Sequence, residues 1–313
     1  VSQTLVLAER PFRDLVSRAL LGMLPQRGQP PLLLATRGAR APAGFLPVPL
    51  DADPVALQVS RVLLAGVFLD RGLLEAALAT AARALASGAR LELRAFGLEG
   101  PAAQRAAPAG AAVLDRAGLI ELRDHRSANV LTLWRVAAPM SLTPYPERHV
   151  AADRTLAARL PDGPILGLAM RDGADMRASW TARLPALRRL LAPAAGWPVL
   201  PLPLLPPGQP GADYAGCLAF AAAVLPEAPI LLPELSEPEA WRRTLTPARF
   251  KGLVERCALV AGNRDLPAAY AVAAGVPVLG IALGADRRIV SCLATLANEL
   301  PAGSDLAHPL PGP

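Results

Sequence analysis

Short apolar runs alternate along this chain with longer stretches whose apolar positions recur at helical spacing. In the first half, Thr4–Ala8, Pro31–Ala35, Phe45–Leu50, Val62–Gly66, Leu91–Phe96 and Leu119–Arg123 read as extended segments, prolines interrupting the second and third. Phe12–Leu24 and an Ala/Leu run from about Leu73 to Ser87 read as helices, and Gly88 supplies the glycine that commonly follows a helix end. A Gly/Pro loop after Phe96 leads into a further helix through Val113. Strands this short and apolar, separated by helices, predict an α/β sandwich with a mainly parallel sheet.

Between Val136 and Pro164 the periodicity lapses and Pro139, Pro144, Pro146, Pro161 and Pro164 crowd together. This places a linker at about 136–164 and divides the chain into domains 1–150 and 151–313. The second half restarts with a strand from Pro164 to Met170, a helix from Ala178 to Leu191, and an extended stretch from Trp197 to Leu205. A helix from Asp213 to Leu225 and a short strand from Ala228 to Leu232 follow. Thr246 and Pro247 open the next helix, which runs to Arg256, as an N-cap and a first-turn proline do. A last helix spans about Arg288–Leu300, and the tail from Pro301 reads as frayed. No repeat of 20–50 residues accompanies this recurrence of αβ units.

The stretch Ala261–Ile281 is the most specific local signal. It reads as a strand end, a short loop with Asn263 and Arg264, a small-residue helix, a glycine turn and a second buried strand. Such a unit builds parallel sheet and sets its loop at the carboxyl edge, where open α/β sheets bind ligands. An arginine beside a helix N-terminus favours an anion there.

Composition narrows the classes. A chain of 313 residues suits two domains, and a hydrophobic fraction of 52% supplies their cores. The net charge of +6 invites a nucleic-acid reading. Against it, Lys251 is the sole lysine and the arginines are dispersed among acidic residues, without a basic run or interleaved aromatics. The charge is compatible with an anionic small molecule or with peripheral contact at an acidic membrane surface. Cys217, Cys257 and Cys292 are far apart, as are His125, His149 and His308, so no metal site or disulfide framework is expected. With no leader and no apolar run of about 20 residues, a cytoplasmic protein is expected. The sequence fixes no oligomeric state.

Two α/β halves joined by a proline-rich linker imply a GT-B-like arrangement of two Rossmann-like domains around a cleft. Four segments then resemble the polysaccharide pyruvyl transferase family, in its cell-wall polymer branch. Arg94–Pro101 is similar to a "G-x-G-I-G-P" segment and Ile120–Ser127 to "I-x-V-R-D-x-x-S". Ile165–Arg171 is similar to "V-x-V-x-x-R", and Val260–Ile281 to "V-x-G-x-R-L-H-(x)-A-x-x-x-G-V-P". The order agrees from about Leu5 to Leu300. The resemblance implies transfer of a pyruvyl ketal from phosphoenolpyruvate to a cell-surface sugar, with the acceptor on the N-terminal domain and the donor on the C-terminal one. It puts Arg171 and Arg264 on donor-binding arginines and implies no cofactor and no metal.

The resemblance also has gaps. Leu266 stands where the family has a histidine, with Asp265 beside it. A distant residue such as His149 is then the available substitute, and the catalytic residues are not assigned. The first glycine-rich loop keeps Asp14 alone, and the second keeps Gly66 with Asp70 nearby. Gly97 and Gly100 fit a turn, Arg123 and Asp124 fit an ion pair or a cleft pair, and Asn263 fits the strand-end loop. The chain therefore reads as a divergent member whose catalytic chemistry is open. The alternatives are a glycosyltransferase-like enzyme with a nucleotide-sugar donor, or a non-enzymatic scaffold on the same fold.

Overall fold

In the computed structural model, residues 3–9, 15–24, 31–35, 44–49, 51–209, 212–283 and 288–307 are described. The chain forms two units, Val1–Glu147 and Arg148–Pro313, each with its own sheet. Unit 1 contains β1 (Gln3–Leu7), α1 (Leu15–Gly22), β2 (Leu32–Ala35), β3 (Phe45–Val48) and β4 (Val59–Phe68). It continues with α2 (Arg71–Ala86), β5 (Arg90–Leu98), β6 (Ala117–Leu122), α3 (His125–Leu133) and β7 (Met140–Leu142). The strand order is β3-β2-β1-β4-β5-β6-β7, all parallel, so the chain reverses its direction of travel between β1 and β4.

The two faces of this sheet are filled differently. Leu74, Leu78 and Ala81 of α2, Leu131 of α3 and Trp134 at its C-cap pack with Leu5, Leu64 and Leu93 on one face. On the other, Leu21 of α1 packs with Val6, Leu34, Phe45, Leu63 and Ala65. Helix α2 starts where Asp70 accepts a hydrogen bond from the Leu73 N–H (2.9 Å) and stops where Gly88 turns left-handed at φ +90°. Gly66, also left-handed, marks a bulge that shifts the β4–β5 register.

Unit 2 contains β8 (Leu166–Ala169), α4 (Ala174–Thr181), α5 (Leu184–Leu190), β9 (Val199–Pro201), α6 (Asp213–Val224) and α7 (Pro238–Thr244). Then come α8 (Pro247–Glu255), β10 (Leu259–Gly262), α9 (Asp265–Ala273), β11 (Val278–Ile281), α10 (Arg288–Thr295) and β12 (Asp305–Ala307). The parallel order β12-β11-β10-β8-β9 reverses between β8 and β10. Two Rossmann-like α/β units are thus present, in keeping with the fold class read from the sequence.

Several local expectations need correction. The helix read over Ala178–Leu191 is two helices, because Pro185 lacks the N–H an uninterrupted helix requires. The helix through Val113 is a pair of 3-10 turns, Gly100–Ala103 and Ala111–Arg116. Ala228–Leu232 contributes an isolated bridge, Ile230 to Val199. The tail is not frayed at Asp305–Ala307, which extends the sheet beside β11. Thr246 does cap α8, accepting from the Arg249 N–H at 3.2 Å.

Candidate functional site

The two strands that flank the reversal in unit 2 end at Arg171 and at Asn263–Arg264. In a doubly wound sheet, the crevice outside the carboxyl ends of such strands is where ligands sit. Three backbone features bring the segments together. Gly262 has φ +154°, and a Cβ there would lie 2.1 Å from the Ala169 carbonyl oxygen, so no other residue fits. Gly216 lets α6 approach the end of β8 closely, since a Cβ there would lie 2.6 Å from the Met170 oxygen. Asn263, 2% exposed, then fastens the two strand ends. Its N–H donates to the Ala169 oxygen at 3.0 Å, and its Oδ1 accepts from the Arg171 N–H at 2.9 Å.

Arg264 and Arg171 differ sharply. Arg264 is 8% exposed and its Nε donates to Asp213 Oδ1 at 2.5 Å, with Nη2 also on that oxygen. Asp213 is fully buried at the start of α6, and its Oδ2 accepts from the N–H groups of Leu204 (2.7 Å) and Leu205 (3.3 Å). Burial pushes the Asp213 carboxyl up, while Arg264 and those two N–H groups pull it down. Both guanidinium and carboxylate are thus engaged, and together they tie the β10–α9 loop, the α6 N-terminus and the segment after β9. The Arg171 guanidinium is about one-third exposed and lies 4.0 Å from Asp175, itself largely exposed. Arg171 thus keeps part of its guanidinium at the surface of this edge, where Arg264 is buried.

Leu266 is fully buried on α9, in the core, so its position is one of packing. Asp265 opens that helix, and an acid that engages Arg264 is Asp213, eight residues past Leu205 and invisible to local pattern.

The residues singled out in unit 1 are also placed. Arg123 is 1% exposed, stacks on Tyr145 (4.4 Å from the ring centre) and pairs with the buried Glu147 at 3.1 Å. Asp124 caps α3, accepting from the Ser127 N–H (2.7 Å) and hydroxyl (2.9 Å). Gly97 leaves room for Arg123, whose Cδ would lie 2.7 Å from a Cβ there, and Gly100 opens a 3-10 turn with φ +52°. Asp70 caps α2 and Gly66 forms the β4 bulge. Asp14 lies outside the described residues. At the reversal between β1 and β4, Glu9 accepts from the N–H groups of Leu69 (2.5 Å) and Asp70 (2.7 Å). Sequence reasoning missed both Glu9 and Asp213, since neither belongs to a motif.

His149 is exposed and its Nε2 accepts from Arg148 Nε at 3.2 Å. Its pKa is lowered, by burial first and then by Arg148 and Lys251, with Glu299 opposing. Among the described residues no group of three His, Cys, Asp or Glu side chains could hold a metal ion, and no helix is long and apolar enough to cross a membrane.

No family model matches the chain, and no curated protein matches it significantly. Solved structures do. The UDP-GlcNAc 2-epimerase from Methanocaldococcus jannaschii is similar over 99% of this chain and 89% of its own, at 10% identity and a TM-score of 0.58. The Neisseria meningitidis UDP-GlcNAc 2-epimerase bound to UDP-GlcNAc is similar over 97% and 87%, at 11% identity and 0.54. S. aureus MnaA with UDP is similar over 92% and 80%, at 12% identity and 0.54. Identities this low show the fold, of the GT-B-like class, and no more.

These likenesses correct the pyruvyl transferase reading, and with it the divergent-transferase function and phosphoenolpyruvate as ligand. The physical reason lies in the motifs. They consist mostly of strand-end glycines, an arginine and apolar residues, the grammar of any β-turn-α unit in a parallel sheet. The position that would have been diagnostic, Leu266, is a core side chain.

Proposed function

We propose that this protein binds a nucleotide sugar at the carboxyl edge of the unit 2 sheet, between the ends of β8 and β10. The observation that carries the reading is the likeness, over nearly the whole chain, to UDP-GlcNAc 2-epimerases, one of them holding UDP-GlcNAc and another protein of the set holding UDP. The local geometry agrees with it. Arg171 offers a solvent-facing guanidinium to a phosphate, and the first turns of α4 and α9 direct backbone N–H groups toward the same edge. Asn263 and the Arg264–Asp213 pair serve as the rigid floor under that position.

The test is calorimetric titration with UDP, UDP-GlcNAc and, as an unrelated anion, phosphoenolpyruvate. Binding of the two uridine compounds is expected, and Arg171→Ala should weaken it about tenfold while leaving the melting temperature of the free protein unchanged. Absence of heat and of thermal stabilisation with both uridine compounds at millimolar concentration would reject the reading.

A further inference from the structure

The face of the unit 1 sheet that carries α1 is not filled uniformly. Beneath α1 it is aliphatic, but across β4, β5 and β6 it carries a row of charges. Arg61 Nη2 donates to Glu92 (2.6 Å), and Arg94 bridges Glu92 (3.3 Å) and Glu121 (2.8 Å). A cavity of about 340 Å³ opens between this row and α1, with Leu20, Met23 and Leu63 on its apolar side and Arg61, Arg94 and Glu121 on its polar side. That volume is within the range of small-ligand pockets.

We infer that this cavity is a saccharide site. Its charges decide the ligand class. The row contains two arginines and two glutamates, so an anion would meet Glu121 and a cation would meet Arg61 and Arg94. A purely apolar guest would strip water from Arg61, Arg94 and Glu121 without replacing its hydrogen bonds. A neutral polyol avoids each penalty, because every hydroxyl both donates and accepts and so serves Arg and Glu side chains alike. A pyranose also has a C–H face for the aliphatic wall. The cavity wall is irregular as well. Ala95 lines it in a left-handed conformation (φ +47°) inside β5, a strained geometry for a residue with a Cβ. The register of β4 shifts just beside it, at Gly66.

The site lies wholly within unit 1 and is independent of the nucleotide-sugar reading for unit 2. The experiment is saturation-transfer NMR on the full chain with N-acetylglucosamine and its β-1,4 disaccharide, with hexanol and methyl phosphate as apolar and anionic probes. Both saccharides should bind, and Arg61→Ala should weaken binding at least tenfold. Met23→Trp, at a position 49% exposed, should block the cavity with a similar loss and an unaltered circular dichroism spectrum. UDP titration should be the same in both variants. No saccharide signal at about 20 mM, full binding by Met23→Trp, or a preference for hexanol or methyl phosphate would each overturn the proposal.

Discussion

Asp213 and Arg264 form an ion pair with almost no solvent contact, fixed at the centre of the proposed nucleotide-sugar edge. A buried pair is weak evidence for net stability, yet removing one member leaves the other charge uncompensated, which costs about 3–5 kcal/mol. Arg264→Met should therefore lower the urea midpoint by that equivalent, and Asp213→Asn should do so comparably. An arginine kept for ligand charge would behave differently: its loss would weaken binding with little change in the midpoint. An unchanged midpoint in Arg264→Met would contradict the strut role. Sequence pattern exposed Arg264 and its strand-end location but not this partner. Asp213 is 51 residues upstream, and the contact exists because α6 packs against β8 through Gly216.

At the scale of elements, the β10–α9–β11 unit was legible because each of its parts has a separate physical signature. The apolar runs become β10 and β11, the small residues Ala268, Ala269 and Ala271 pack α9 against its neighbours, and Gly275 makes the left-handed turn at φ +71°. Two glycines in this unit allow a graded test. A methyl group at Gly275 meets nothing within 4 Å, so Gly275→Ala should cost about 1 kcal/mol through backbone strain alone. At Gly262 the methyl group would collide with the backbone of Ala169, and Gly262→Ala should cost more than about 3 kcal/mol or prevent folding. Equilibrium denaturation of the two variants would show the ranking; equal losses would mean that β8 and β10 separate easily. Less legible were α3 and α7. Helix α3 begins at a cap, Asp124, that the sequence presented as half of an Arg-Asp pair, and α7 is only Pro238–Thr244. Short β7 and β12 were missed because three residues carry no periodicity.

For the whole molecule, the division into α/β units follows from alternation and from the proline-rich interruption, but the family does not. Packing rules dictate strand-end glycines and apolar runs for any parallel sheet, so motifs made of them identify architecture and leave chemistry open. The buried thiols give a property of the entire fold. Burial pushes Cys217 and Cys257 up to about 12, from an ordinary value of 9.0. A group whose pKa is raised in the folded state adds stability that is complete below its unfolded pKa. That stability disappears as pH rises toward the folded value. The loss should thus fall between about pH 9 and 12 and amount to a few kcal/mol per thiol. Replacing both with Ala would remove this pH-dependent component, although the cavities would lower stability at neutral pH. Urea midpoints from pH 8 to 11 should fall more steeply for the parent than for the double variant. Parallel slopes would show that the thiols remain unimportant to the alkaline transition.

Glu9 and Asp213 do similar work in the two units. Each acidic side chain takes up backbone N–H groups at or near a point where strand order reverses, Glu9 those of Leu69 and Asp70, Asp213 those of Leu204 and Leu205. The protein thereby supplies its own anions at the edges where an open α/β sheet would otherwise attract them from solution. At these two places the N–H groups are already satisfied, so an incoming anion would have to displace a carboxylate that is covalently part of the chain.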